Sequence, residues 1–416
     1  MFTTDKLTPD TKYILANFDD IIQGVRPLNS KQIQQLPDNI KALSHQLTDK
    51  RSERRLGYMN DNVQLSSYVR YYTWWNLVRL TRLFSNLPAE SFPHQDTVCI
   101  DLGTGPLTVV NALWLARPEL RKLHLTWYCL DVSSNSMVLG EDLFYSIAAK
   151  DGDESKWNII RVKGSFGTSI KQKAGFITCA NMFNELDQAG DMPPEYQTKK
   201  YFNQLQTYGT SDCKFLLIEP GVPKATRTIT LLRDRFLGAG KEIAAPCPHC
   251  QKCPMNGFKA YTGSTNKWCN FAFSTEDAPA RLLKLSEQAK LPKERATLIF
   301  ISVINKADAS KGGAESQHTG AVSQPNGPEG GLPLGKLTCR ITSDPFRLPE
   351  NKIGYYGCSS LGLTLVKTSG RVLKVPEGGF SIEGPLASGD LISVKIKTPE
   401  SSLPKDQKSG ASIIEF

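Results

Sequence analysis

The stretch Cys99-Ile100-Asp101-Leu102-Gly103-Thr104-Gly105-Pro106 decides the reading of this chain. An apolar run ends at the acid Asp101, two glycines make a turn, and a helical pattern runs from Val109 to Arg117. A strand that feeds such a turn sets backbone N–H groups and a helix N-terminus against a ligand. Gly103 and Gly105 permit positive φ and the close approach that a side chain would block. The dinucleotide-binding fingerprint wants a third glycine where Thr108 stands, so pyrophosphate binding loses support.

Outward from this loop the pattern alternates. Trp127 to Leu130 reads as a second strand ending at Asp131, followed by strands at Asn158–Val162, Phe176–Asn181, Lys214–Glu219 and Ala296–Ile304. Helical segments lie between them, including one from Lys224 to Leu237, so the class is α/β with right-handed crossovers and a mostly parallel sheet. Residues 1–92 carry helical spacing, as in Tyr13, Phe18 and Ile21, then Tyr71, Trp74, Trp75, Leu77 and Leu80, and are expected to form a helical N-terminal domain. The Rossmann-like domain spans 93–305 and holds a cysteine-rich insertion at 240–272. Residues 306–336, with Gly312-Gly313 and Gly330-Gly331, have the composition of a flexible linker. Short alternating runs in 337–416 read as a small, barrel-like β domain.

Composition sets the outer limits. With 416 residues, 40% of them hydrophobic, the chain is long enough for two or three domains and too apolar for wholesale disorder. Its longest apolar run, Leu298–Ile304, is far short of a membrane span, so no membrane partner is expected. The opening residues Met1–Asp10 have neither an apolar signal core nor an Arg-rich presequence, from which a cytoplasmic location is expected, or the mitochondrial matrix in a eukaryote. A net charge of +9 allows a polyanionic partner without requiring one. The densest basic patch is Lys50, Arg51, Arg54 and Arg55, which suits phosphate contacts or a solvated helix face equally.

The ten cysteines fall into distinct groups. Cys99, Cys129, Cys179 and Cys213 sit in apolar strand-like runs, where a free thiol serves as a small hydrophobe. Cys247-Pro-His-Cys250-Gln-Lys-Cys253-Pro254, followed by Trp268-Cys269, reads instead as a metal site in a reducing compartment. Four thiolates suit tetrahedral zinc, and Cys-x2-Cys-x2-Cys-Pro also resembles half of a ferredoxin-type signature, so spacing leaves zinc and a 4Fe-4S iron–sulfur cluster both open. On spacing alone Cys250 is the fourth ligand beside Cys247, Cys253 and Cys269.

The loop, with Asp101 before it and Asp131 ending the next strand, resembles that of class I S-adenosylmethionine-dependent methyltransferases. That resemblance implies a cofactor site made by Asp101, Gly103, Thr104, Gly105 and Asp131, in which Asp131 accepts the ribose hydroxyls. Base-methylating enzymes of this class often carry Asn-Pro-Pro-Tyr after the fourth strand; here Asn181-Met-Phe-Asn184-Glu185-Leu186 stands instead. Asn184 and Glu185 are candidates for holding the cofactor or substrate, or for capping the following helix, and no catalytic residue is assigned.

The loop and the cysteine cluster together resemble the methyltransferase-like assembly factors of the mitochondrial small ribosomal subunit and their bacterial homologues. Carrying it are Asp101–Pro106, Asn184-Glu-Leu186, Glu219-Pro-Gly221, Arg227, Arg233-Asp-Arg235, Cys247-Pro-His249, Cys253-Pro254 and Trp268-Cys-Asn-Phe271. The resemblance implies a monomer that binds S-adenosylmethionine and small-subunit rRNA and acts in subunit assembly or translation. It also implies an iron–sulfur site in which Cys358 joins Cys247, Cys253 and Cys269, with Cys339 a weaker candidate and Cys250 a departure from the family pattern. Lys252, Lys259 and Lys267 are placed to meet phosphates. Leu107, where many relatives continue with glycine, is expected to narrow the space beside the ligand. The alternative is an active methyltransferase acting on rRNA, or on a small molecule with a structural zinc.

Overall fold

The structure is a computed structural model that describes residues 1–48, 57–150, 155–186, 192–258, 267–306, 336–368, 372–374, 382–395 and 402–415. The basic patch at 50–55, Lys259 and nearly all of the expected linker therefore lie outside the described residues.

Helices α1 (Pro9–Ala16), α2 (Phe18–Val25), α3 (Ser30–Thr48), α4 (Asn62–Ser67) and α5 (Trp74–Asn86) open the chain. Local chemistry starts two of them: Thr8 accepts the Thr11 N–H ahead of Pro9, and Asp61 accepts the N–H groups of Val63 and Gln64. A π-helical turn, Tyr68–Thr73, leads into α5, which is buried along nearly its whole length. A helix buried on every side belongs inside a core rather than on a separate bundle. Accordingly Phe18, Trp74, Leu80 and Phe84 share one continuous apolar core with Leu113, Phe176 and Phe300 of the sheet region. The expected N-terminal domain is helical, and its helices pack into the same core as the sheet.

The body continues as β1 (Val98–Leu102), α6 (Thr108–Ala116), β2 (Leu125–Asp131), α7 (Ser134–Lys150), β3 (Trp157–Lys163), β4 (Ala174–Ala180), α8 (Phe183–Leu186), α9 (Pro194–Tyr208) and β5 (Gly209–Glu219). Then come α10 (Pro223–Gly238), β6 (Glu242–Ala245), β7 (Phe271–Ser274), α11 (Ala280–Gln288) and β8 (Arg295–Ile304). The sheet order is β3-β2-β1-β4-β5-β8-β6, with β7 pairing β8. Strands β1 to β5 pair in parallel, while β8 runs antiparallel to β5, β6 and β7. Cys99, Cys129, Cys179 and Cys213 are fully buried in these strands, as their apolar runs require. Trp114 of α6 anchors the layer beneath, with its ring edge-on to Trp157 and Phe144 at 5.2 and 5.3 Å.

The C-terminal sheet contains β9 (Lys336–Ile341), β10 (Phe346–Arg347), β11 (Ile353–Ser359), β12 (Gly362–Thr368), β15 (Leu391–Lys395) and β16 (Ser412–Glu415), while β13 (Val372–Lys374) and β14 (Ile382–Gly384) form a separate hairpin. Its order is β15-β9-β11-β12-β16, and among the described residues nothing pairs β15 to β16. Among the described residues it is an open sheet rather than a closed barrel, because alternation fixes which side chains face inward but not whether the edges meet. This sheet has its own small core, around Ile341, Tyr355, Val366 and Ile392.

Candidate functional site

The glycine turn sits where β1 leaves the sheet. Gly103 and Gly105 take φ of +65° and +52°, and a Cβ on Gly103 would lie 2.9 Å from Met182 Cγ. The turn is pinned from several sides. The N–H groups of Gly103 and Thr104 donate to the Leu130 carbonyl, and the Gly105 N–H donates to Asp131 Oδ2 at 2.9 Å. Asp131 Oδ1 accepts the Ser133 N–H at 2.8 Å. The Val132 N–H is a third backbone donor to this carboxylate, which still keeps acceptor capacity for a ligand. Burial pushes the Asp131 carboxyl up, and these N–H donors pull it back.

A cavity of about 940 Å³, its mouth included, opens over the turn. Its lining includes Gly103, Thr104, Gly105, Asp131 and Glu185, five of the seven residues expected to hold a cofactor. Asp101 and Asn184 are not in the lining. Asp101 lies fully buried beneath the turn, accepting the hydroxyls of Thr104 at 2.6 Å and Thr178 at 2.7 Å. Burial raises its pKa to about 7 despite those donors, so it acts as a brace for the loop. The Asn184 N–H is taken by Glu219 Oε2 at 3.2 Å, while Glu219 Oε1 accepts the Phe183 N–H at 2.8 Å. Glu219, buried with its pKa raised to about 8, thereby caps the short helix α8.

Leu107 also corrects an expectation. It adopts φ +53° and is fully buried in the core, outside the cavity lining, so it does not narrow the ligand space. Sequence reading missed the opposite wall altogether. Met59, Tyr68, Asn76 and Leu80 reach the cavity from the N-terminal helical region, and Phe166 and Met182 complete it. Arg79, buried on α5, donates to Asn181 Oδ1 and Asn76 Oδ1 at 2.9 Å and to the Thr297 carbonyl at 3.1 Å. It holds Asn181, itself at φ +60°, on the cavity wall. The local signal for this role was slight, since Arg79 shares its face of α5 with the polar Asn76 and Arg82.

The cysteines form a second centre. Cys247, Cys253, Cys269 and Cys358 line one cavity of about 280 Å³ together with His249, Arg233 and Arg340. Cys250 is exposed, and neither it nor the buried Cys339 is part of this lining. The insertion is held against α10: Thr226 Oγ1 donates to the Cys269 carbonyl, Arg227 Nη2 to the Gly257 carbonyl, and Trp268 Nε1 to the Gly221 carbonyl. Arg233 Nε donates to Cys247 Sγ at 3.0 Å and its Nη2 to the His249 carbonyl at 2.7 Å. Burial alone would lower the Arg233 pKa; Cys247, by charge and hydrogen bond, overrides it. His249 Nε2 lies 3.0 Å from Cys358 Sγ. Burial, reinforced by neighbouring thiols, pushes Cys253 up to about 12 and Cys269 and Cys358 well above the ordinary thiol value. Such thiols are inert alone and ionise when a metal cation binds them. Among the described residues no group of three or more His, Cys, Asp or Glu side chains is arranged to hold a metal ion. The donor set nevertheless fits a soft metal: four thiols, with no carboxylate in the lining.

A reversed last strand set between β5 and β6, a glycine turn after β1 and an acid ending β2 define a class I methyltransferase-like fold. Residues 79–320 match the family described as mitochondrial small ribosomal subunit Rsm22. The chain belongs to that family. Comparison with curated proteins finds no match.

Among solved structures, the ribosomal protein L11 methylase of Lactobacillus delbrueckii subsp. bulgaricus is 17% identical, over 40% of this chain and 70% of that one, with a TM-score of 0.27. Precorrin-6y C5,15-methyltransferase of Geobacter metallireducens is 10% identical, over 54% and 87%, with a TM-score of 0.31. A methyltransferase of Geobacter sulfurreducens, solved with S-adenosyl-L-homocysteine, is 11% identical, over 55% and 90%, with a TM-score of 0.31. Among the described residues no helix is long and apolar enough to cross a membrane.

Proposed function

We propose that this methyltransferase-like member of the small-subunit family binds S-adenosylmethionine and small-subunit rRNA, acts in subunit assembly or translation, and carries a 4Fe-4S cluster on Cys247, Cys253, Cys269 and Cys358. The observation that carries the cofactor reading is the Asp131 carboxylate, bonded to the Gly105 N–H while lining the cavity that opens over the glycine turn. The glycine turn offers the methionine end a surface free of side chains, and Asp131 offers the ribose an acceptor. What supports a metal group is the donor set, four thiols that line a common cavity with no carboxylate among them, which suits an iron–sulfur cluster and zinc alike.

Lys252 is exposed on the insertion, and the Lys267 ammonium lies 4.0 Å from the Tyr356 ring centroid. These cations favour a phosphate-bearing partner, whose binding weakens as salt rises. The test begins with anaerobic purification, metal and sulfide analysis, and titration of S-adenosylmethionine into wild type and Asp131→Asn. A brown, iron-loaded protein that binds the cofactor through Asp131 is the expected result. A colourless zinc protein, or equal binding by the variant, rejects the corresponding half. Transfer of labelled methyl groups to rRNA, lost in the variant, would make the chain an active methyltransferase.

A further inference from the structure

The C-terminal sheet and the methyltransferase-like body have separate apolar cores. Among the described residues, Cys358 is the buried residue of the sheet that packs into the body's core, with half-buried Leu363 beside it. Around it the boundary carries the Met1–Phe2 segment against Gly389, the Lys267 ammonium over the Tyr356 ring and the Thr342 hydroxyl on Met255 Sδ, and otherwise polar contacts. Arg340 Nε donates to the Pro246 carbonyl at 2.9 Å, the Ala272 N–H donates to Ser388 Oγ at 3.1 Å, and Arg295 pairs with Asp344 at the surface at 2.6 Å. The exposed ion pair adds little, whereas the buried Arg340 bond contributes more and depends on the guanidinium keeping its place.

The thiol cavity lies on this boundary. Cys247, Cys253 and Cys269 belong to the body, and Cys358 comes from β11, beyond the 307–335 stretch. A buried guanidinium also enters from each side, Arg233 from α10 and Arg340 from β9. An anionic metal–thiolate group attracts both arginines, whereas without one two like charges share a single cavity.

We infer that the four-thiol site fastens the C-terminal sheet to the body, so that losing the bound group frees the sheet as a folded unit. The inference rests on the reading that these cysteines hold a metal group. Once fastened, the two parts present one rigid surface to a partner. Once released, the sheet keeps its own core around Ile341, Tyr355 and Val366.

The test is hydrogen exchange read by mass spectrometry on the full chain. It compares anaerobically loaded protein, the same protein stripped by chelator and oxidant, and the variants Cys358→Ser and Cys253→Ser, with metal content measured for each. The expected result is exchange at least about tenfold faster in 246–255 and 388–390 for the stripped and variant proteins, while β11 and β12 stay protected. Unchanged exchange at the boundary after stripping overturns the inference. Equal loss of protection through β11 and β12 also overturns it, since the group would then fold the sheet rather than fasten it. If the wild type retains no metal even after reconstitution with iron and sulfide or with zinc, the cysteine reading falls and this inference with it. If metal is retained and exchange is indifferent to it, only the inference falls.

Discussion

The Gly105 N–H donates to Asp131 Oδ2 at 2.9 Å, joining the turn after β1 to the end of β2 across 26 residues of chain. This bond couples the shape of the turn to the charge of the acid, so one carboxylate serves both loop and ligand. Asp131→Asn keeps the size and removes the charge. A hydrogen bond to a charged group contributes about 1.5–3 kcal/mol, so S-adenosylmethionine should bind roughly 10- to 150-fold more weakly, as read by calorimetry.

Two helical glycines should respond oppositely to alanine. A Cβ on Gly140 of α7 would lie 2.3 Å from the Pro106 carbonyl carbon and 2.7 Å from the Leu107 nitrogen, both backbone atoms that cannot swing aside. Gly140→Ala should cost about 1–3 kcal/mol and weaken cofactor binding by displacing the turn. Gly24 of α2 has nothing within 4 Å of such a Cβ, and Gly24→Ala should stabilise by about 0.5–1 kcal/mol through helix propensity. Urea unfolding of both variants checks the contrast.

Asp101 predicts a pH dependence. Its folded pKa, raised to about 7, exceeds the unfolded value near 4, so between those values the native state holds a proton that the unfolded chain has released. The resulting stabilisation is full below about pH 4 and is lost as pH rises through about 7. Asp101→Asn does not titrate. Its stability relative to wild type should therefore rise with pH across that window, measured as the difference in urea midpoints from pH 4.5 to 8.

Arg233 donates to Cys247 Sγ while also holding the His249 carbonyl, so it positions a thiol and the loop beside it. Loss of such a supporting group typically costs about 10- to 100-fold in metal affinity. Arg233→Ala should lose metal on dialysis, whereas Arg233→Lys should recover part of the retention by restoring charge without the fork. Metal per chain after dialysis reads both effects, and where iron is retained its reduction potential reads the loss of the Cys247 bond.

Much of the fold was legible because its signals are local. The apolar runs of β1, β2, β4 and β5, and the glycines that break them, lie within a few residues of one another. The position of Asp101 beneath the turn was not legible for a physical reason: an acid beside a ligand loop and an acid bracing it from below look the same in a strand pattern. Leu107 was misjudged because backbone torsion, invisible in the sequence, turns its side chain into the core.

The sequence by itself determined the α/β pattern, the positive-φ turn at Gly103 and Gly105, the acid at the end of β2 and the supply of thiols. These depend on residue type and short spacing, which backbone sterics and side-chain periodicity translate directly into local structure. Only the tertiary structure decided that α5 brings Asn76 and Leu80 to the cavity, that β8 enters the sheet reversed, and that Cys358 rather than Cys250 lines the cavity of Cys247, Cys253 and Cys269. Those placements depend on which apolar faces bury one another across long stretches of chain, and burial is a non-directional force that leaves no motif where it acts.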